Sequence, residues 1–283
     1  MPQRLGIIGH PIGHSISPVF QQAALDHLGI DGTYQLWDVA PDAVEAFVQG
    51  LRERDVLGIN VTVPHKEAVV PFLDEVDEWA ATAGAVNTIV NRQGRLTGHN
   101  TDGVGFLRSL QDGGGFDPAG KRALILGAGG AARGVVLALA RARAGLLVIA
   151  NRTAERADRL AALAEENGVS ASAILLLEVA RAAKSADLIV NCTSVGMSHG
   201  PDEAGSLLTA NQIPSTCLVN DLVYNPLQTN LLREASNAGA AILGGIQMLV
   251  YQGAASFEMW TGQGAPVQVM LEAATAEMAS RTH

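Results

Sequence analysis

Short apolar runs closed by Gly, Asn or Pro alternate along this chain with longer stretches of helical periodicity. That is the pattern of a sheet whose strands are joined by helices. Residues 5–9 read as a strand entering a Gly/Pro/Ser-rich turn, and residues 18–28 as a helix. Strands over 34–39 and 57–61, with a helix from Pro41 between them, continue the alternation. Residues 85–91 and 94–99 flank Arg92 and Gln93 as a hairpin, and 101–110 read as a helix leading into the loop-like DGGGFDPAG. A second series of strands follows at 122–126, 146–150, 188–191, 217–221 and 241–243. Over 169–177 a short strand and a helix start are hard to separate. Residues 246–260 and 267–278 carry apolar residues at helical spacing, divided by TGQGAP. The pattern predicts an α/β protein of two α/β units, joined just before or along the helix at 101–110. If one of the last helices crosses back to the first unit, Gln247, Met248 and Gln252 come to line a cleft between the two.

The run GAGGAAR at 127–133 sits where the strand KRALIL ends and the helix GVVLALARA begins. In that setting a glycine motif predicts a dinucleotide site. Gly127 allows the tight turn, Gly129 lets the backbone approach a pyrophosphate, and Ala132 keeps helix and strand close. The helix N-terminus then offers unpaired N–H groups to phosphate. A site for NAD usually carries an acid about 20 residues further on to hold the ribose 2′-hydroxyl. Here the next strand runs into Asn151 and Arg152, with Arg156 one turn later. Arginines form charge-assisted forks to a 2′-phosphate, so NADP is favoured over NAD. The plainer reading makes Asn151 a cap for a helix beginning near Thr153 and the arginines solvated surface; both readings can hold together.

Composition narrows the classes. The 283 residues suit one large domain or two modest ones. A formal charge of −9, with no basic block, argues against extended nucleic-acid or anionic-membrane binding. Cys192 and Cys217, the 2 cysteines, stand beside apolar runs and read as small core residues, neither a disulfide framework nor a metal cluster. The N-terminal MPQRLGIIGHPIGHS lacks a secretory apolar region, and no uninterrupted apolar run is long enough to cross a membrane. A cytoplasmic protein fits best.

The densest polar set lies in the first half. GHSISP places Ser15 and Ser17 on one side if the stretch is extended, where two hydroxyls would hold a carboxylate or substrate hydroxyls. Alternatively they form a turn and an N-cap. NVTVPHK sets Asn60 and Thr62 at alternating positions and Lys66 after Pro64. A lysine at the mouth of a cleft can protonate a forming alkoxide, although a solvated surface is the commoner fate of lysine. His65 reads as a capping or packing residue. Asn87 lies in AVNT, and Asn100, Thr101 and Asp102 in HNTDG. Asp102 either caps the following helix or faces Lys66 and keeps a proton relay aligned. In the second half, NCTSVGM offers Thr193 and Met197 to a cofactor, or is simply a turn ending in Gly196. NDLVYNP offers Tyr224 to substrate while Asp221 fixes its loop. Gly244 and Gly245 permit close backbone approach, and Gln252 stands on the following helix or belongs to a polar stripe.

Taken in order, GHSISP, NVTVPHK, AVNT, NTDG, GAGGAAR, NRT, NCTSVGM, YNP and QMLVYQG resemble the shikimate dehydrogenase family over essentially the whole chain. The resemblance implies NADP-dependent reduction of 3-dehydroshikimate to shikimate, on the route to chorismate and aromatic amino acids. It implies two α/β domains flanking a cleft: a substrate domain of residues 1–103 plus 247–283, and a Rossmann-like NADP-binding domain of residues 104–246. Ser15, Ser17, Asn60, Thr62, Lys66, Asn87, Asp102, Tyr224 and Gln252 match the family's substrate pocket, with Lys66 as acid/base and Asp102 as its partner. The cofactor positions fall on Gly127, Ala128, Gly129, Gly130, Ala131 and Ala132, then Asn151, Arg152, Thr153 and Arg156. Thr193, Met197, Val223, Gly245 and Met248 would lie near the ribose or nicotinamide. No metal is implied; the partner is a small molecule, and the chain is a monomer or a homodimer. Ser17 and the basic NRT segment favour the shikimate/NADP type over a quinate-using NAD type. Two alternatives remain: a related enzyme that acts on quinate or another cyclic hydroxy acid, with broader substrate or NAD use, and, less favoured, a non-enzymatic NADP-binding sensor, which has no obvious need for Lys66, Asp102 and the serines.

Overall fold

A computed structural model describes residues 2–281. The first series of elements is β1 (Gln3–Gly9), α1 (Ser17–His27), β2 (Gly32–Asp38), α2 (Val44–Gly50), β3 (Val56–Val61), β4 (Glu75–Val76), α3 (Glu78–Ala83), β5 (Thr88–Arg92), β6 (Arg95–His99) and α4 (Asp102–Arg108). The second is β7 (Arg122–Leu126), α5 (Gly130–Arg141), β8 (Leu146–Asn151), α6 (Ala154–Glu166), β9 (Ala171–Leu175), α7 (Val179–Ala183), β10 (Leu188–Asn191), β11 (Leu218–Asp221), α8 (Asn230–Asn237) and β12 (Ala241–Gly244). Two helices close the chain, α9 (Gly245–Thr261) and α10 (Val267–Arg281). The chain divides into two compact units: residues up to Gly105 together with Val250–Arg281, and Phe106–Leu249.

The first unit holds a six-stranded sheet in the order β2-β1-β3-β5-β6-β4. It is mixed: β1 pairs parallel with β2 and β3, whereas β5 is antiparallel to both β3 and β6. Its core joins Ile8, Val48, Val56, Ile59, Ile89 and Leu96, and α1 packs against α10. The expected strand at 85–91 begins only at Thr88, because the backbone before it turns aside: the Val86 amide bonds the Lys66 carbonyl at 2.8 Å. β4 and α3 answer to no expected element; a strand of 2 residues carries no periodicity to read.

The second unit holds a parallel sheet in the order β12-β11-β10-β7-β8-β9, the doubly wound arrangement whose switch point lies between β7 and β10. Its central strands RALIL and LIVN are almost wholly buried, as strands covered on both faces must be. The ambiguous stretch at 169–177 resolves as the edge strand β9 followed by a 3-10 turn. Cys217 joins this unit's core, and burial pushes its thiol up to about 11. Burial pushes the Cys192 thiol up as well. Among the described residues no helix is long and apolar enough to cross a membrane, and no group of three or more His, Cys, Asp or Glu is placed to hold a metal ion.

Candidate active site

The first unit collects its polar residues at one edge of its sheet. β3 runs toward that edge and β5, antiparallel to it, starts there, so that Asn60 pairs with Thr88. β6 returns to the same edge, with His99 opposite Thr88. The loop after β3, the segment before β5 and the start of α4 therefore meet, bringing together Lys66, Asn87 and Asp102.

Lys66 Nζ donates to Asp102 Oδ2 at 2.5 Å, with 29% and 26% of the two side chains exposed. The loop carrying Lys66 is held on both sides. The Thr62 amide bonds the Ile8 carbonyl at 2.9 Å, and the buried His65 donates from Nε2 to the Val39 carbonyl at 2.6 Å. His65 is thus a packing residue, as its position suggested. The Asp102 carboxylate serves side chains: its Oδ1 accepts from Asn87 Nδ2 at 2.8 Å. The orientation of the Asn87 amide follows from the backbone, because the Thr101 N–H donates to Asn87 Oδ1 at 2.8 Å and an N–H can only donate. The Gln252 amide oxygen lies 3.4 Å from Asn87 Nδ2 and 3.5 Å from the Thr101 hydroxyl.

Beneath this rim is a buried polar layer. Asn60 accepts from Tyr34 Oη at 2.8 Å and reaches Ser256 Oγ at 3.0 Å. Burial pushes the Tyr34 hydroxyl well above the ordinary phenol range, so it stays a donor. Thr88, Thr101 and Ser256 are all fully buried and bonded to one another. Thr88 and Thr101 stand inside the motifs AVNT and HNTDG, but Tyr34 and Ser256 lie outside every polar motif and carry no sequence signal of this role.

The serines depart from expectation. Ile16 has φ −100° and ψ 1°, so GHSISP is not extended and strand alternation does not align Ser15 with Ser17. Neither serine caps α1, whose N-cap is Ile16 with no side-chain bond. Instead Ser15 Oγ accepts from the Ser17 amide at 3.3 Å, and Ser17 is buried at the first turn. Thr62 is half-buried at the head of the Lys66 loop.

In the second unit, Gly127 takes φ +104°, and a Cβ there would stand 3.0 Å from Thr193, so the motif loop and the exit of β10 touch. Gly129 and Gly130 are exposed with open space where a Cβ would be, and Ala132 is buried against the sheet. Helix α5 has no side-chain cap, which leaves the amides of its first turn for an anionic ligand. Arg152, Thr153 and Arg156 are exposed just beyond β8. Asn151 does not cap α6; its Nδ2 donates to the Thr153 carbonyl at 2.9 Å, and the N-cap is Thr153 without a side-chain bond. These features fit a phosphorylated dinucleotide, with Ala128 and Ala131 in the same turn.

The neighbouring loops are fixed from below by Asp221. It accepts from Asn191 Nδ2 at 2.9 Å, the Val223 amide at 3.0 Å and the Thr229 hydroxyl at 2.6 Å, and burial pushes its carboxyl upward. Asn191 in turn receives the Thr193 hydroxyl at 2.7 Å. Met197 is exposed, and Gly245 and Met248 open α9. Tyr224 belongs to this unit, in the segment beyond β11.

Comparison with known proteins agrees along the chain. A sequence model of the shikimate dehydrogenase substrate binding domain matches residues 7–89. One of shikimate/quinate 5-dehydrogenase matches 113–199, and one of the shikimate 5'-dehydrogenase C-terminal domain matches 245–275. The NADP(+) shikimate dehydrogenase of Methanopyrus kandleri is 51% identical over 95% of this chain and 93% of its own length. That of Moorella thermoacetica is 49% identical over 94% and 90%. Among solved structures, shikimate 5-dehydrogenase of Thermus thermophilus, in complex with NADP(H) and shikimate, superposes with a TM-score of 0.85 at 42% identity, covering 97% of this chain and 99% of that one.

Proposed function

The chain belongs to the shikimate dehydrogenase family, and from that premise we propose how its own residues carry the NADPH-dependent reduction of 3-dehydroshikimate to shikimate. The observation that supports the assignment of roles is the Lys66–Asp102 pair with Asn87 locked behind it. Bound NADPH supplies the hydride that the carbonyl carbon at C3 receives. The remaining work falls to the chain. Lys66 gives its proton to the C3 oxygen as charge develops there, and Asp102 keeps the ammonium in place and orients a neighbouring hydroxyl. In the oxidative direction Lys66 accepts the proton. Asn87, Gln252 and Thr62 are the hydroxyl partners at this edge, with Asn60 as a candidate from the layer beneath, Ser15 and Ser17 as the candidates for the carboxylate and Tyr224 as a further donor.

For the cofactor, the turn from Gly127 to Ala132 and the start of α5 would hold the pyrophosphate. Asn151, Arg152, Thr153 and Arg156 would hold the adenosine ribose and its 2′-phosphate. Thr193, Met197, Val223, Gly245 and Met248 would lie toward the nicotinamide. We assign residues 1–103 with 247–283 to substrate and 104–246 to NADP. We also place the enzyme in the cytoplasm as a monomer or homodimer. Absorbance at the reduced-nicotinamide band, with 3-dehydroshikimate and either NADPH or NADH, tests the reaction. NADPH oxidation matched by shikimate formation, and much slower with NADH, is the expected result; folded protein that makes no shikimate would remove it.

A further inference from the structure

The buried layer under the proposed active site is a connected run of hydrogen bonds. Tyr34 donates to Asn60 Oδ1 at 2.8 Å, and Asn60 Nδ2 donates to Ser256 Oγ at 3.0 Å. Ser256 and Thr88 hydroxyls are 2.7 Å apart, and Thr88 donates to Asn87 Oδ1 at 2.9 Å. Asn87 then donates to Asp102 at 2.8 Å. A hydroxyl has one proton to give. Thr88 spends its proton on Asn87, so the short contact to Ser256 is filled only if Ser256 donates to Thr88. The same Ser256 proton has a second acceptor in the Gln252 carbonyl at 3.0 Å, so Ser256 is a branch point that ties Asn60 and Thr88 to the backbone of α9.

We propose that Ser256 is a positioning residue of the reaction: its hydroxyl joins Asn60 to Thr88 and Thr101 and so holds in place the two hydroxyls that, with the Thr101 N–H, keep the Asn87 amide fixed on Asp102 beside Lys66. It sits one helical turn beyond Gln252, whose carbonyl accepts from its Oγ. The Thr101 hydroxyl, 3.2 Å away, adds a fourth neighbour. With no exposed surface, Ser256 does not meet the substrate itself. The inference rests on the roles proposed above for Lys66 and Asp102.

The test compares Ser256→Ala, Ser256→Cys and Ser256→Thr with the unaltered enzyme, well below the melting temperature. Cysteine keeps the volume with a weak donor, and threonine keeps the hydroxyl. Expected are a kcat about tenfold lower in the Ala and Cys variants, a barrier change of about 1.4 kcal/mol, and at least partial recovery in the Thr variant. NADPH affinity should stay unchanged in all three. Should the Ala variant fail to bind NADPH or to melt cooperatively, Thr88→Val, which cuts the same chain at constant volume, decides by the same kcat reading. Full kcat in the Cys variant, with only the melting temperature lowered in the Ala variant, assigns Ser256 to packing and overturns the proposal. Absence of turnover in the unaltered enzyme would instead remove the reading on which the proposal stands.

Discussion

A Cβ on Gly105 would stand 2.5 Å from the backbone nitrogen of Gln252, so α4 and α9 meet backbone to backbone at this point. The contact holds Gln252 within reach of Asn87 and Thr101. Gly105→Ala should force the helices apart at a cost of about 1–3 kcal/mol. We expect a lower melting temperature and a raised KM for 3-dehydroshikimate, with NADPH affinity unchanged. A variant with native melting and native KM would show that the helices yield without moving Gln252.

Lys66→Ala tests proton transfer. Loss of a positioned acid/base typically lowers the rate by about 10²–10⁴-fold, and we expect kcat to fall within that range while NADPH binding is preserved. Single-turnover kinetics with a separate NADPH titration read the two quantities. Preserved turnover with weakened NADPH binding would move Lys66 from proton transfer to the cofactor.

Arg152→Ala tests cofactor choice. A hydrogen bond to a charged group is worth about 1.5–3 kcal/mol, which corresponds to roughly 10–150-fold in affinity. The KM for NADPH should rise by about that factor while the KM for NADH stays put. An equal rise for both would point to damage at the end of β8.

Acid should loosen the first unit before the second. The Arg4 hydrogen bond holds Asp55 below the ordinary carboxylate range, and the Arg52 hydrogen bond does the same for Asp74. For Asp77 burial pushes upward, but hydrogen bonds from His99 and the Ala80 amide outweigh it and leave the group lowered. All three contribute stability that is complete above about pH 4 and lost as pH falls through their lowered values. Asp221, raised chiefly by burial, has the opposite sign: the native state takes up its proton first, so acid costs the second unit nothing at that site. The 3 tryptophans, Trp37, Trp79 and Trp260, all belong to the first unit. Their emission should therefore change at a higher pH than amide exchange in β7 and β10. Coincident transitions would contradict this order.

The sequence was legible where chemistry and local pattern coincide. GAGGAAR lies between a buried strand and a helix, as its setting predicts, and β7 and β10 have the predicted bounds. The pairing of Lys66 with Asp102 was readable as an option, because both stand at strand exits. What could not be read depends on contacts remote in sequence. Ser256 meets Asn60 and Thr88 across 196 and 168 positions, and on α9 it looks like any polar residue of a helix. Asn151 fits the profile of a cap, yet its amide donates and does not accept, a choice made by local backbone geometry. Ile16 breaks the extended run that would have aligned two serines, and no composition rule marks it.

The first unit is assembled from both ends of its sequence, with the whole of the second unit lying between. On the ribosome every strand of the first sheet emerges early, but Gln252, Ser256 and Trp260, whose indole N–H bonds the Ile89 carbonyl at 3.0 Å, arrive only after the entire nucleotide sheet has been made. A nascent chain can therefore complete its cofactor fold while its substrate fold still waits for α9 and α10. Chains stopped short of α10 would be cofactor-binding proteins with an unfinished substrate side.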